Sequence, residues 1–437
     1  MTAYNGVLAE LLDGSWVDPE TGHKVSIDIK DIYIDKSLDE QESELIKKQH
    51  AGQKLAIISD ENTHAALGAR VFKSLKSSGL NVFEYVWKTP KCSEQGVEHI
   101  RHATRNCDAR IGIGSGTIND TVKYASFLDG CTYSVFATSP MTAYSSSTAS
   151  VLFDGFKHSI ACKGPQGIYF DLQVLANCPA NLISAAFADV ICRTTSQVDW
   201  LLSHLLLDTV YTDTPYALLR YDEAEMIASA DKMLTGDINA IAMLTRISVI
   251  MGLGSHFTAT THSGSMAEHM ISHYIDMFAG DKHPQSSHGE QVGISTITMS
   301  QLHERVLNEQ APPVLKPTKI PISWMKQRFS VDAMNNMIEQ TNAKSLDKTT
   351  AIKLNKRIAS HWDSIRQQLL KYMLPHDQLR AAMKAAGCPL TASELSLDGQ
   401  FYIEAVTGAR FIRDRFSMLD MFDDSIGLSE FTKTMPV

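Results

Sequence analysis

Five short apolar runs before residue 180 constrain this chain more than anything else in it. LAIIS (55–59), NVFEYV (81–86), ARIGIG (109–114), YSVFAT (133–138) and IYFDL (168–172) each have the length and character of a buried strand. Helix-like stretches follow the first three: 60–79, which stops at Gly79, then 93–106 and 118–128. Strands alternating with helices of this size predict a parallel sheet with right-handed crossovers. From about Asn181 strand-like runs almost vanish. Leu354, Ile358, Trp362, Ile365, Leu369 and Tyr372 recur at intervals of three or four along one helical face. Pro312, Pro313, Pro317 and Pro321 mark a loop between helical groups. The expected fold is α/β: a Rossmann-like parallel-sheet domain over 1–180, then an all-helical domain over 181–437.

A chain of 437 residues, 44% of them hydrophobic, can bury the cores of two domains. Its formal net charge of −9 argues against general nucleic-acid binding or attraction to anionic membranes. The N-terminus lacks the pattern of a signal peptide, and no long uninterrupted apolar run predicts a membrane span. Seven cysteines, scattered without close pairs, read as reduced thiols of a cytoplasmic protein.

Two groups of residues carry chemistry. In GIGSGTIND (112–120), Gly112, Gly114 and Gly116 allow close backbone approach to a pyrophosphate, and the helix start that follows favours an anion. The spacing is not GxGxxG, and a plain strand-to-helix turn also accounts for it. Asp60, ending the first strand, can meet a ribose hydroxyl or cap the next helix. The second group is Asp189, in an apolar stretch, with His269 and His288, each opening a helix-like run. One carboxylate and two imidazoles can hold a divalent metal and leave a position open. A capping aspartate and incidental histidines are the plainer reading. His273 is one turn beyond His269. Lys157 and His262 could face an anionic substrate or be ordinary surface residues.

Jointly these segments resemble the sn-glycerol-1-phosphate dehydrogenase branch of the dehydroquinate synthase-like superfamily, which includes glycerol dehydrogenase and iron-containing alcohol dehydrogenases. The resemblance spans roughly residues 50–430. GSGTINDTVKY (114–124) looks like the family's pyrophosphate loop. That implies an NAD or NADP site at Gly114, Ser115, Gly116, Thr117 and Asp120, with Asp60, Thr138 and Ser139. LISAAFADVICRTTSQVDW (182–200), AEHMISH and SHGEQVGISTI look like its ligand segments, which implies a metal on Asp189, His269 and His288. His273, one turn after His269, could relay a proton or support a ligand. The tail AAGCPLTASEL…FIRDRFSMLDM (385–421) is the most branch-specific match. Arg193 stands where the iron-dependent relatives place an extra histidine, so three ligands and an open position point to Zn2+, with Ni2+ or Fe2+ as alternatives. Two segments depart from the family. TSPMTAYSSS (138–147) has Ala143 where an aspartate is expected, with Tyr144 or Ser145–Ser147 as possible substitutes. TTHSGSMAEH lacks the arginine of an SRPASG-like stretch.

The implied activity is a metal-dependent, NAD(P)-linked dehydrogenase acting on a small polyol phosphate or ketone, first glycerol 1-phosphate and dihydroxyacetone phosphate. The alternatives are a dehydroquinate synthase-like cyclase using NAD catalytically, and a catalytically silent binding protein. The implied partner is a small, phosphorylated molecule, with no nucleic acid and no membrane span. A homo-oligomer, a dimer or larger, is expected.

Overall fold

The computed structural model describes residues 3–153 and 156–436. It divides into two compact units, Met1–Val190 with Thr212–Thr261, and Ile191–Tyr211 with His262–Val437. The chain therefore passes between units three times, where the sequence reading placed one division at residue 180. The stretch 212–261 is helical but belongs to the sheet-containing unit, and local pattern cannot reveal such a return.

The first unit holds a six-stranded sheet of β1 (Asp31–Asp35), β2 (Leu55–Asp60), β3 (Val82–Trp87), β4 (Ala109–Gly114), β5 (Thr132–Ala137) and β8 (Gly167–Asp171). Its order is β1-β8-β5-β4-β2-β3, and every neighbouring pair is parallel. The five apolar runs are five of these strands. The sixth, β1, reads DIYID; charged ends deprive it of an apolar run, and it lies at the sheet edge. An antiparallel hairpin, β6 (Thr148–Phe153) and β7 (Phe156–Ala161), lies outside the sheet.

Both faces of the sheet are covered. Leu55 and Ile57 pack with Leu67, Val71 and Leu75 on one side. Ala56 and Ile58 pack on the other, with Val97, Ile100, Ile118 and Val122. Alternate residues of one strand thus feed opposite cores, which is why the strand reads as a continuous apolar run. Each buried Val, Leu or Ile contributes about 1.5–3 kcal/mol. The chain leaves β2 toward β3 and leaves β4 in the opposite direction, toward β5. The carboxyl ends of β2 and β4 therefore flank a topological switch point, where open α/β sheets bind ligands. The register reaches Ile58↔Gly112, so Asp60 and Gly114 end side by side at this edge.

Helices α1 (Gly116–Asp129), α2 (Ala180–Ile191), α3 (Arg193–Leu207) and α4 (Ile238–Thr258) follow in the chain. By length and composition α4 could cross a membrane, but 78% of its apolar window is buried inside the protein, as in a core helix.

The second unit contains no strand among the described residues. Its main helices besides α3 are α5 (Ala267–Phe278), α6 (His288–Leu307), α7 (Lys348–Leu370) and α8 (Met418–Ser425). The predicted stripe of α7 is buried from Leu354 to Leu369, in the same core as residues of α3, α5 and α6. Arg410, fully buried, is held by Asp420, Asp423 and Asp424. Asp420 also receives Lys344, so each cation of this cluster is paired and its role is structural.

Candidate functional site

In the sheet unit, β4 runs directly into α1 through Ser115. Ser115 is extended (ψ −178°) and gives α1 no side-chain cap, so the first N–H groups of the helix have no capping side chain at Ser115. The two glycines of the turn differ. A Cβ on Gly114 would stand 2.8 Å from Ile118, so packing demands glycine there. A Cβ on Gly116 would meet only Ala143, at an ordinary 3.8 Å, so packing does not demand it. The Gly114 carbonyl accepts from the Tyr144 hydroxyl (2.6 Å) and the Thr138 amide (3.4 Å). Ser139 is buried, its hydroxyl 3.4 Å from Tyr144 Oη. The Thr117 carbonyl accepts from Thr121. Asp120 turns toward the hairpin, accepting from the Ser150 amide (3.0 Å) and lying 3.5 Å from Lys123. Asp60 caps the next helix, in a reciprocal box with Thr63.

The loop 138–147 is fastened at many points. Asn119 and Lys123 both donate to the Ala143 carbonyl, at 2.9 and 2.7 Å. Ser145 donates to the Val249 carbonyl on α4, and Ser146 and Ser147 meet Ser255. α4 approaches so closely that a Cβ on Gly252 would lie 2.2 Å from Ser145 Oγ. Tyr144 and the three serines are thus scaffold, not the substitutes for a missing carboxylate that the sequence suggested. Thr142 donates to Asp189 Oδ2 at 2.8 Å, fixing one oxygen of that buried carboxylate on α2.

In the helical unit, α5 presents Glu268, His269, Ser272 and His273, spaced so that one face carries them. His288 is the first residue of α6, set there by a capping box between Ser287 and Glu290. The rings of His269 and His288 are 5.1 Å apart, and those of His273 and His288 are 5.4 Å apart. Each of His269 and His288 offers a ring nitrogen, and the two nitrogens lie within 4.8 Å of each other.

The hydrogen bonds set which nitrogens these are. Nδ1 of His269 donates to Glu268 Oε1 at 3.0 Å. Burial pushes the Glu268 carboxyl up, but bonds from His269 and the Met266 amide outweigh it and hold it below its usual range. Thr195 donates to its other oxygen. The proton of Ser272 goes to Gln291 Oε1, at 2.9 Å. Nδ1 of His288, 2.9 Å from the same hydroxyl, must therefore donate. In that tautomer each imidazole turns Nε2 into its ligating atom, and each tautomer is set by a different partner. Glu268 and Ser272 escaped the sequence reading. The Glu-His dipeptide was a signal for the first; the second depends on how α5 meets α6.

Near this face, Arg415 donates to the Ser265 carbonyl. Burial and the neighbouring Arg413 lower its pKa to about 10. Burial and the charge of Arg415 hold His262 down to about 3, so His262 is neutral and offers no charge to an anion. Arg193 is turned to Gln197 and the Tyr372 carbonyl.

Comparison with known proteins places this arrangement in context. The model of the iron-containing alcohol dehydrogenase family matches residues 33–179. The chain is 25% identical to the glycerol-1-phosphate dehydrogenase [NAD(P)+] of Geobacillus thermodenitrificans, over 91% of its own length and 93% of that protein's. A protein of the same name from Halalkalibacterium halodurans is 29% identical, over 57% of this chain and 65% of that one. Among solved structures, a probable glycerol dehydrogenase from Sinorhizobium meliloti superposes with a TM-score of 0.60 at 15% identity, covering 93% of this chain and 98% of that one. The NADH-dependent butanol dehydrogenase A of Thermotoga maritima gives 0.59 at 12%, covering 92% and 95%. At such identities the structures speak for the fold. The resemblance read from the sequence is borne out by the curated relatives.

Proposed function

We propose that this chain is a metal-dependent, NAD(P)-linked dehydrogenase that moves a hydride between nicotinamide and a small hydroxy or keto compound. Glycerol 1-phosphate and dihydroxyacetone phosphate are the first pair to test. The observation that carries the reading is the pair of histidines, each with Nδ1 bonded to its own neighbour. The proposed ligands are Asp189, His269 and His288, and zinc suits three ligands with an open position. When bound, the ion supplies Lewis acidity that polarises a carbonyl or acidifies an alcohol.

The chain's own residues divide the remaining work. The amides opening α1 take the pyrophosphate, with Gly116 admitting it closely and Thr117, Thr138 and Ser139 beside it. Asp60 can cap its helix and still meet a ribose hydroxyl. Thr142 orients Asp189. His273 carries a proton to or from the histidine face. Arg413 and Arg415 repel each other, and an anionic substrate group would relieve that repulsion. They are our candidates for the positive charge that TTHSGSMAEH lacks. Cysteines without disulfides support a cytoplasmic protein, and we take it to be a homo-oligomer.

Turnover of dihydroxyacetone phosphate with net loss of NADH or NADPH is the expected result. Phosphate release without net redox would favour the cyclase instead. Metal uptake without any dinucleotide binding would favour a silent protein.

A further inference from the structure

We propose a second metal-binding arrangement in the helical unit, formed by Cys192, Glu268 and His269, that takes a soft divalent ion such as Cd2+. Cys192 Sγ, a carboxylate oxygen of Glu268 and a ring nitrogen of His269 lie within 4.8 Å of one another. All three residues are buried. Cys192 immediately precedes α3, while Glu268 and His269 lie on the first turn of α5, so two elements converge on the point.

The donor set is thiolate, carboxylate and imidazole. Sulfur and nitrogen select Cd2+ or Zn2+ over Mg2+ or Ca2+, which want oxygen. The thiol now donates to the Gly264 carbonyl at 3.6 Å, and a thiol is a weak donor. Nδ1 of His269 is already 3.0 Å from Glu268 Oε1. Binding breaks the S–H bond and forms a sulfur–metal bond, and the thiol proton leaves to solvent; nothing is oxidised or reduced. When the ion takes Nδ1, the ring's proton moves to Nε2.

That proton shift has a consequence for the ligand set of the preceding subsection. A His269 protonated on Nε2 cannot ligate through it. Glu268 changes from the partner of Nδ1 to a ligand, so nothing holds the original tautomer. The two arrangements exclude each other, and a soft ion would inactivate the protein by removing a ligand. Only this exclusion rests on the proposed function; the three-residue arrangement stands without it.

Titration of the chelator-stripped full chain with Cd2+, followed by thiolate-to-cadmium charge-transfer absorption in the ultraviolet, tests the proposal. The wild type is expected to develop the band, saturating near one ion per chain. Cys192→Ser should lose it, and Cys192→Ala repeats the measurement should serine disturb folding. Cys388→Ser, removing another buried thiol, should keep it. His288→Ala should also keep it, which separates this site from the other: loss of the proposed catalytic metal leaves the band intact. A wild-type band retained in both Cys192 variants, or no band in the wild type, overturns the proposal.

Discussion

The glycine turn at 114–117 and the histidine face of α5 and α6 are built to hold ligands by opposite means. At the turn the donors are backbone amides, whose protons are fixed by covalent structure. They need only a helix start and room for approach. On the histidine face the donors are side-chain nitrogens, and which nitrogen carries the proton is set by residues that never touch the ligand. The first site fails when a side chain intrudes. The second fails when a neighbour two bonds away is altered.

The largest effects should come from the ligands themselves. His269→Ala and His288→Ala are expected to lose the metal, by more than the roughly 100-fold that marks the upper end for supporting residues. NAD(P)H binding should persist in both, because the turn belongs to another unit. Elemental analysis and a fluorescence titration measure the two quantities separately. Wild-type metal content in both variants would remove these residues from the ligand set.

Next come the tautomer-setting residues. Glu268→Gln keeps an acceptor for His269 Nδ1 but loses the charge, and metal affinity should fall about tenfold. Ser272→Ala removes the hydroxyl that takes the proton of His288, and the fall should lie between about 10- and 100-fold. The same variants should leave dinucleotide affinity untouched. Equal metal affinity in Ser272→Ala and the wild type would mean that His288 needs no lock, and the contrast between the two sites would collapse.

The turn offers the reverse experiment. Gly114→Ala drives a methyl group to 2.8 Å from Ile118 and should cost about 1–3 kcal/mol of stability, read by denaturant unfolding. Gly116→Val meets little protein, only Ala143 at 3.8 Å. It should weaken NAD(P)H binding while leaving stability and metal content near wild type. Unaltered NAD(P)H affinity in Gly116→Val would count against the pyrophosphate placement.

The same difference explains what could be read from sequence. Buried parallel strands announce themselves as apolar runs, so five of six were visible, and the turn at 112–120 came with the third of these runs. β1 was missed because aspartates bound it, and the hairpin β6–β7 because SVLF and FKHSIA are half-exposed and lack a continuous run. His269 and His288 were legible as histidines at helix starts, and His273 as one turn beyond the first. Their supporting residues were not. Ser272 is one polar residue among many on α5, and only the packing of α5 on α6 gives it His288 and Gln291. Thr142 matters through Asp189, 47 residues away in the chain. The expected substitutes at 144–147 turned out to be fastened to the Gly114 carbonyl and to α4, which no local pattern encodes.

The smallest effect, and the most informative about substrate, should come from Ala143→Asp. The Ala143 carbonyl is pinned by Asn119 and Lys123, so the backbone there will not move to accommodate a change. Its side chain lies next to Gly116, at the start of α1. A carboxylate at 143 would therefore stand beside the amides proposed to receive the pyrophosphate, where the helix dipole favours it. Two consequences oppose each other. If a substrate hydroxyl lacks its carboxylate in this chain, the aspartate supplies a charge-assisted hydrogen bond worth about 1.5–3 kcal/mol. The position is half-exposed, so the lower end applies, about tenfold in rate. Yet the same charge would repel the cofactor's phosphates and raise the Kd for NAD(P)H. With Tyr144 and Ser145–Ser147 committed to the scaffold, the loop has no evident substitute of its own. The expected result is thus a gain in kcat/KM for dihydroxyacetone phosphate, measured at saturating cofactor, accompanied by weaker cofactor binding. Ordinary wild-type turnover of dihydroxyacetone phosphate with no gain in the variant would show that the loop's departure is neutral. Weaker cofactor binding alone would place position 143 on the dinucleotide rather than the substrate, and would move the search for specificity to Arg413 and Arg415.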